Sequence, residues 1–417
     1  MSQELFMKKV VVFGYPYLGH LYPMIDLLVE MNEQGIEVVF YTNEKFAELI
    51  PDNIKVKGYR NIEHLNKRSD FVTKETQNYK ELAMVIKGVL KISNDILDEM
   101  KEDFTKEASD ADCILTDSLA YWGRFVAQVT QRPCVPYITS FLLSHHFQTP
   151  DKFYSQHFFG SNVTKNVNVE KKCDFRRIFR TLLKDINLKY ELNKFDIWDL
   201  FEGGQELNIA FSYRNIQLNS NEYGEEYIFL GPQMKNRLSK QRNSGKIPDF
   251  DYKKEKFIFV SLGTVASNNN GLFLKLYKEL LPIDRKIVIC SPFVKLEEKE
   301  DHIYISEHWN QVELLKYCDV FVTHGGANSV NEALYLKTPL LIIPLINDQF
   351  WGAEIVERFS FGKSIYINEI ESELAKSIND RIKLNEYRDN LRRADYVVDG
   401  DCGEAISRIT YYCKNFD

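Results

Sequence analysis

The chain has 417 residues, 44% hydrophobic and 27% charged, which is ordinary globular usage and enough material for about two or three domains. Lys and Arg number 53 against 60 Asp and Glu, a net charge of −7. This excludes disordered and collagen-like chains and argues against a nucleic-acid partner, because a phosphate backbone needs a basic surface.

The first element follows Lys8-Lys9, where Val10–Phe13 is a short apolar run. It is too short for a signal-peptide core, and no apolar stretch of about 18 residues follows, so no membrane anchor is expected. Gly14 and Gly19 bracket a loop that leads through His20 into LYPMIDLLVEMNEQG. There Leu21, Met24, Ile25, Leu28 and Met31 recur at helical spacing and Gly35 supplies a stop. The next strand is IEVVFYT, completing a βαβ unit. Further strands are expected at Ile54–Tyr59, Cys113–Thr116 and Cys134–Ile138, with a long polar helix from about Lys74 to Lys106. The polar, turn-rich stretch Gly231–Lys256 reads as a linker.

The second half opens as the first does. Phe257–Val260 is a strand before a small-residue loop, Leu272–Leu281 a helix and KIVICS a strand. Then VELLKYC, VFVTHGG, NSVNEALYL and PLLIIPL alternate as helix, strand with loop, helix and strand. This alternation predicts an α/β protein of two doubly wound, Rossmann-like domains facing each other across a cleft. The expected division is residues 1–232, a linker over 233–256, a second domain over 257–385, and a helical segment over 386–417 that crosses back to the first. The seven cysteines, Cys113, Cys134, Cys173, Cys290, Cys318, Cys402 and Cys413, form no CxxC pair. They read as reduced thiols of a cytoplasmic protein, neither a disulfide framework nor a zinc site.

The strongest chemical signal is Glu307–Phe350, EHWNQVELLKYCDVFVTHGGANSVNEALYLKTPLLIIPLINDQF. VFVT is a buried strand, and HGGANS turns into a helix whose free N–H groups suit a phosphate. Gly325 and Gly326 let the backbone approach a ligand closely. His324 and Ser329 add donors, and Glu332, one turn on, is placed for a ribose hydroxyl. Asp348 and Gln349 follow the next strand, where open α/β sheets bind ligands, and suit the hydroxyls of a sugar. A glycine pair before a helix is often only tight packing, and a lone Asp often only a cap; the combination at fixed offsets points to a nucleotide that carries a sugar.

Gln311, THGG from Thr323, Asn328-Ser329, Glu332, Pro339, Pro344 and Asp348-Gln349 resemble the nucleotide-sugar signature of the UDP-dependent glycosyltransferases. The resemblance runs over about forty residues and is supported by SLGT (Ser261–Thr264) and GHLYP (Gly19–Pro23). The chain's size is similar to that of the bacterial macrolide and natural-product members. The resemblance implies the GT-B fold and an inverting, metal-independent transfer that needs no cofactor beyond the UDP-sugar donor. It assigns the diphosphate to Ser261, Thr264, His324, Asn328 and Ser329, the ribose to Glu332, and the hexose to Asp348 and Gln349. In plant relatives Gln at the last position goes with glucose, so UDP-glucose is the expected donor. Where the family often carries a base-stacking aromatic residue and then a Pro before the Gln, this chain has His308 and Asn310, with Trp309 between. This leaves three readings open: His308 stacks on the base, Trp309 rotates in, or the base pocket differs from the family's.

The catalytic pair is expected in the first half. His20 starts a helix whose dipole disfavours imidazolium, so a neutral imidazole is expected, able to take the proton of an attacking acceptor hydroxyl. Its carboxylate partner is expected at Asp117, at the end of the CILTD strand. Both positions match the His–Asp pair of the resembled family. The acceptor is expected to be a hydrophobic small molecule (macrolide, flavonoid, other polyketide or phenol); the aromatic-rich segment Phe141–Phe159 reads either as core or, the favoured reading, as its lining through Phe141, His145, His146 and Phe147. Asp-x-Asp patterns at 110–112, 249–251 and 399–401 occur too freely here to mark a metal site. Two other readings share the architecture: a nucleotide-sugar epimerase, and a non-catalytic auxiliary protein of glycosyltransferase type. The GHLYP loop, His20 and Asp348-Gln349 favour transfer.

Overall fold

A computed structural model describes residues 7–60, 62, 79–142, 184, 189–192, 195, 198–239, 245–263, 270–291, 300–345 and 348–416, with backbone alone for 79–89 and 270. Two all-parallel sheets organise it. The first contains β1 (Lys9–Phe13), β2 (Glu37–Thr42), β3 (Lys55–Gly58), β4 (Cys113–Asp117), β5 (Cys134–Ile138), β6 (Asn208–Ala210) and β7 (Tyr227–Phe229), in the order β3-β2-β1-β4-β5-β6-β7. The second contains β8 (Phe257–Ser261), β9 (Lys286–Cys290), β10 (Ile303–Ser306), β11 (Val320–Thr323), β12 (Leu340–Ile342) and β13 (Gly362–Ser364), in the order β10-β9-β8-β11-β12-β13.

Each sheet is buried on both faces, as parallel strands covered by helices require. Along β1, Val11 and Phe13 join one apolar cluster while Val10 and Val12 join the other. Along β8, Phe257 and Phe259 face one cluster, Ile258 and Val260 its opposite. The two-residue period of the strand is read out directly as two cores. Strand order reverses between β1 and β4 in the first sheet and between β8 and β11 in the second. At such a reversal the flanking connections leave to opposite faces, so a crevice opens at the strands' C-terminal ends.

Several elements depart from the sequence reading. Strands β6, β7 and β13 span three residues each and β10 four, too short for periodicity to reveal. The long polar helix is described over Tyr79–Ala108, and its expected start near Lys74 lies outside the described residues. The C-terminal stretch forms two helices, Arg381–Arg393 and Cys402–Lys414. Between them the chain leaves the second sheet and docks on the first. Asp399 accepts from the Phe229 backbone N–H at 2.9 Å and from Arg214 Nε at 2.7 Å. Asp401 then caps the last helix, accepting from the Glu404 N–H at 2.9 Å. The stretch read as a linker contains a short helix, Lys235–Leu238, fastened to the first half: Asp26 accepts from the N–H groups of Lys235 and Asn236 at 2.8 and 2.9 Å.

The last helix packs on the first sheet's helical face. Ala405, Ile406, Ile409 and Cys413 share a cluster with Met24, Leu27, Leu28 and Met31 of the segment after His20. Ile409 is fully buried there. Ile409→Ala is expected to lower unfolding free energy by about 2–5 kcal/mol, measured by urea titration, because it leaves a cavity as well as losing burial.

Candidate active site

The two crevices bring the sequence-selected residues together. His20 lies on the four-residue helix Leu18–Leu21 in the loop after β1, and Asp117 is the last residue of the adjacent β4. His20 Nδ1 is 2.8 Å from Asp117 Oδ2. A carboxylate only accepts, so Nδ1 carries the proton and Nε2 holds the free lone pair. Asp117 is nearly fully buried, and its other oxygen accepts from the Leu119 backbone N–H at 2.9 Å. Thr139, just past β5, places its hydroxyl oxygen 2.9 Å from the same Nδ1. The ring of Tyr15 packs against the imidazole, with centroids 5.3 Å apart.

The expectation of a dipole-suppressed imidazolium is corrected. Burial by itself lowers the His20 pKa, but the charge and hydrogen bond of Asp117, with the charge of Asp348, outweigh it and raise the pKa above its ordinary value. A single helical turn carries too small a dipole to compete with a carboxylate in contact. His324 goes the other way. It follows β11, and burial pushes its pKa down to about 4, opposed only by a hydrogen bond with the Ser261 backbone. Its imidazole is therefore neutral across the physiological range and can meet an anion only as an N–H donor.

The glycines around His324 serve packing. Gly263 has φ +71°, and a Cβ there would lie 2.6 Å from His324 Cε1. Gly325 has φ +88°, and its Cβ would lie 2.6 Å from Ile342 Cγ2; that of Gly326 would lie 2.7 Å from His324 Nε2. The tight-packing reading of the Gly-Gly pair holds, since protein atoms already occupy the space a side chain would need.

The helix that follows, Ala327–Leu336, carries much of the expected donor site on one face. Its N-cap residue, Gly326, offers no side chain to cap the N-terminus. Asp348 reaches it and accepts from the Ala327 backbone N–H, while burial raises the carboxyl's pKa above its usual value. Ser329 is half-buried in the first turn. Asn328 Nδ2 crosses to the first half and donates to the Gly19 carbonyl at 2.6 Å, one residue before His20. Asn331, which the sequence did not single out, donates to the Phe211 carbonyl at 3.1 Å. Glu332 is 6% exposed, and Gln311 Nε2 donates to its Oε2 at 2.7 Å. Arg237 Nη2, from the supposed linker, donates to Oε1 at 2.7 Å.

Gln349 is buried, and its side-chain oxygen accepts from the Leu345 N–H at 2.8 Å. Trp309 is tied back to β9, its indole N–H donating to the Ile289 carbonyl at 2.8 Å, whereas the ring of His308 is exposed. Phe141 is 2% exposed, within a cluster that includes Tyr213 and Ile216, so its ring is a packing element rather than an open wall. Thr264, His145, His146 and Phe147 lie outside the described residues. The Asp-x-Asp patterns have structural partners: Asp112 accepts from the Lys9 N–H at 2.9 Å, Asp110 pairs with Lys9 at 2.6 Å, and Asp251 pairs with Lys254 at 3.1 Å. Among the described residues no helix is long and apolar enough to cross a membrane. Thr139, Asn331 and Arg237 are the site-facing residues missed from sequence; no motif marks them, and only folding brings them to the crevices.

Residues 257–398 match the family described as UDP-glucoronosyl and UDP-glucosyl transferase. The chain is similar to the uncharacterized UDP-glucosyltransferase YojK of Bacillus subtilis, 25% identical over 91% of this chain and 90% of that one. It is also similar to the NDP-glycosyltransferase YjiC of Bacillus subtilis, 25% identical over 98% of each. Among solved structures, CalG4, the calicheamicin glycosyltransferase, superposes with a TM-score of 0.68 over 98% of this chain and 99% of that one, at 18% identity. The match over the second half and the end-to-end likeness to sugar transferases agree: residues 257–398 carry the UDP-glucoronosyl and UDP-glucosyl transferase domain, and the whole chain, with its paired parallel sheets, is similar to glycosyltransferases of the GT-B fold.

Proposed function

We propose that the protein is an inverting glycosyltransferase that moves a hexose, glucose in the first instance, from a UDP-sugar to a hydroxyl of a hydrophobic small molecule in the cytoplasm. The observation that carries this reading is the His20–Asp117 pair at 2.8 Å, set one residue from the point where Asn328 of the donor-side helix meets the Gly19 carbonyl. This arrangement supports a general base near where an acceptor and a nucleotide sugar would meet.

The acceptor hydroxyl gives its proton to His20 Nε2 as its oxygen attacks the anomeric carbon. Asp117 holds the tautomer and stabilises the imidazolium that forms. The bond from the anomeric carbon to the diphosphate breaks on the opposite face, so an α-linked donor yields a β-glycoside. The departing diphosphate is received by the N–H groups at the start of the Ala327–Leu336 helix and by the neutral His324, a preorganised anion site. Asp348 must leave the Ala327 N–H for that role. With Trp309 tied back, His308 is the ring available to the base. No metal enters this reading, since base and anion site supply both chemical roles.

The deciding experiment follows UDP release from UDP-glucose, with EDTA present, over a panel of macrolides, flavonoids and phenols. Wild type is expected to turn over and to give a β anomeric coupling in the product's proton NMR spectrum; an α product overturns inversion. His20→Ala is expected to lose about 10²–10⁴-fold in kcat while UDP affinity stays within about threefold.

The pH profile offers a second check. Activity needs the neutral imidazole, so kcat/KM should rise with pH through a pKa above 6.5, the ordinary histidine value raised by Asp117 and Asp348. Asp117→Asn should move that limb to lower pH and reduce the plateau. The stability that the pair contributes runs oppositely: it is fully present below the unfolded pKa and is lost as pH rises through the raised folded value.

A further inference from the structure

Arg237 stands outside every motif of the family resemblance, yet it links three parts of the site. Its Nη2 donates to Glu332 Oε1 at 2.7 Å, with both side chains largely shielded, at 17% and 8% exposed. Its guanidinium lies 3.8 Å from the ring centroid of Tyr22, two residues after His20. The short helix that carries it is fastened to Asp26, which accepts from the N–H groups of Lys235 and Asn236. The arginine therefore arrives at Glu332 on a braced backbone.

We propose that Arg237 is a positioning residue for the donor: it fixes the Glu332 carboxylate for the ribose hydroxyls and offsets its negative charge beside the diphosphate. This rests on the donor reading of the Ala327–Leu336 helix given above. Glu332 lies about 7.5 Å along the axis from Ala327, at 1.5 Å per residue. That is within a Debye length of the anion site at the helix N-terminus. An uncompensated, buried carboxylate there would repel a diphosphate, and the pairing with Arg237 removes most of that repulsion. Arg237 and Gln311 approach different oxygens of Glu332, so the carboxylate plane is held while each oxygen retains a lone pair for a ribose hydroxyl. The stack on Tyr22 carries the same arginine to the acceptor side, so donor and base are set against one common strut.

The test compares UDP and uridine binding by calorimetry for wild type, Arg237→Gln and Arg237→Lys, with melting temperatures and steady-state kinetics alongside. Arg237→Gln is expected to weaken UDP by about 10–100-fold, as loss of a charged hydrogen bond does. Uridine, which lacks the diphosphate, should weaken less. KM for the UDP-sugar should rise with kcat at saturation within about threefold, and Arg237→Lys should recover part of the UDP loss by restoring charge. In a Glu332→Gln background, Arg237→Gln should cost little, because the charge it offsets is gone. Unchanged UDP affinity in Arg237→Gln overturns the proposal, and so does an undiminished loss in the Glu332→Gln background. Equal losses for UDP and uridine overturn the charge-offset role. Wild type that binds neither UDP nor uridine overturns the donor reading itself, and this inference with it.

Discussion

Parallel strand pairing is the constraint from which the site follows. When every strand runs the same way, all C-terminal strand ends lie along one edge, and a reversal of strand order opens a crevice in that edge. This chain does so twice. His20 follows and Asp117 ends the two strands that flank the first reversal, and Ser261 ends and His324 follows the two that flank the second. The proposed catalytic pair and the proposed anion site thus occupy the same structural position in two sheets.

Burial then separates two histidines of similar sequence setting. Both lose hydration, which favours the neutral ring. His20 gains a carboxylate at 2.8 Å and the field of a second, Asp348, and its net shift is upward. His324 has no such partner among the described residues, lies between glycines, and is shifted to about 4. One ring is able to take up a proton, whereas the other is confined to hydrogen-bond donation. That division suits the proposed transfer, in which the attacking hydroxyl gives up a proton on one side of the anomeric carbon and an anion departs on the other.

The Ala327–Leu336 helix is where the halves meet. Asn328, Asn331 and Glu332 are three and four residues apart, so they share one face, and each bonds outside the second sheet: to Gly19, Phe211 and Arg237. Two of these, Asn328 and Glu332, are also residues that the motif assigns to the donor. Contacts that hold the halves in register are drawn from the same side chains a nucleotide sugar would use. On the proposed donor reading, donor binding and the fit between the halves would draw on the same side chains. The stretch read as a linker takes part through Arg237 and Asp26, and the final helix closes the arrangement by burying Ile406 and Ile409 against the segment that follows His20.

By itself, the sequence determined what depends on short-range pattern. The apolar runs around Val10, Cys113, Phe257 and Val320 and the helical spacing after His20 and Ser329 define two doubly wound halves, since strand and helix periods are local properties. The motif from Gln311 to Gln349 similarly carries its chemistry in fixed offsets along one βαβ stretch. Strands such as Asn208–Ala210 and Gly362–Ser364 were illegible because three residues have no period, and pairing with neighbours defines them. Tertiary structure alone decided the sign of the His20 shift, because burial and two carboxylates distant in sequence compete there. It alone brought Arg237 to Glu332 and Thr139 to His20, contacts across 95 and 119 residues that no local pattern encodes.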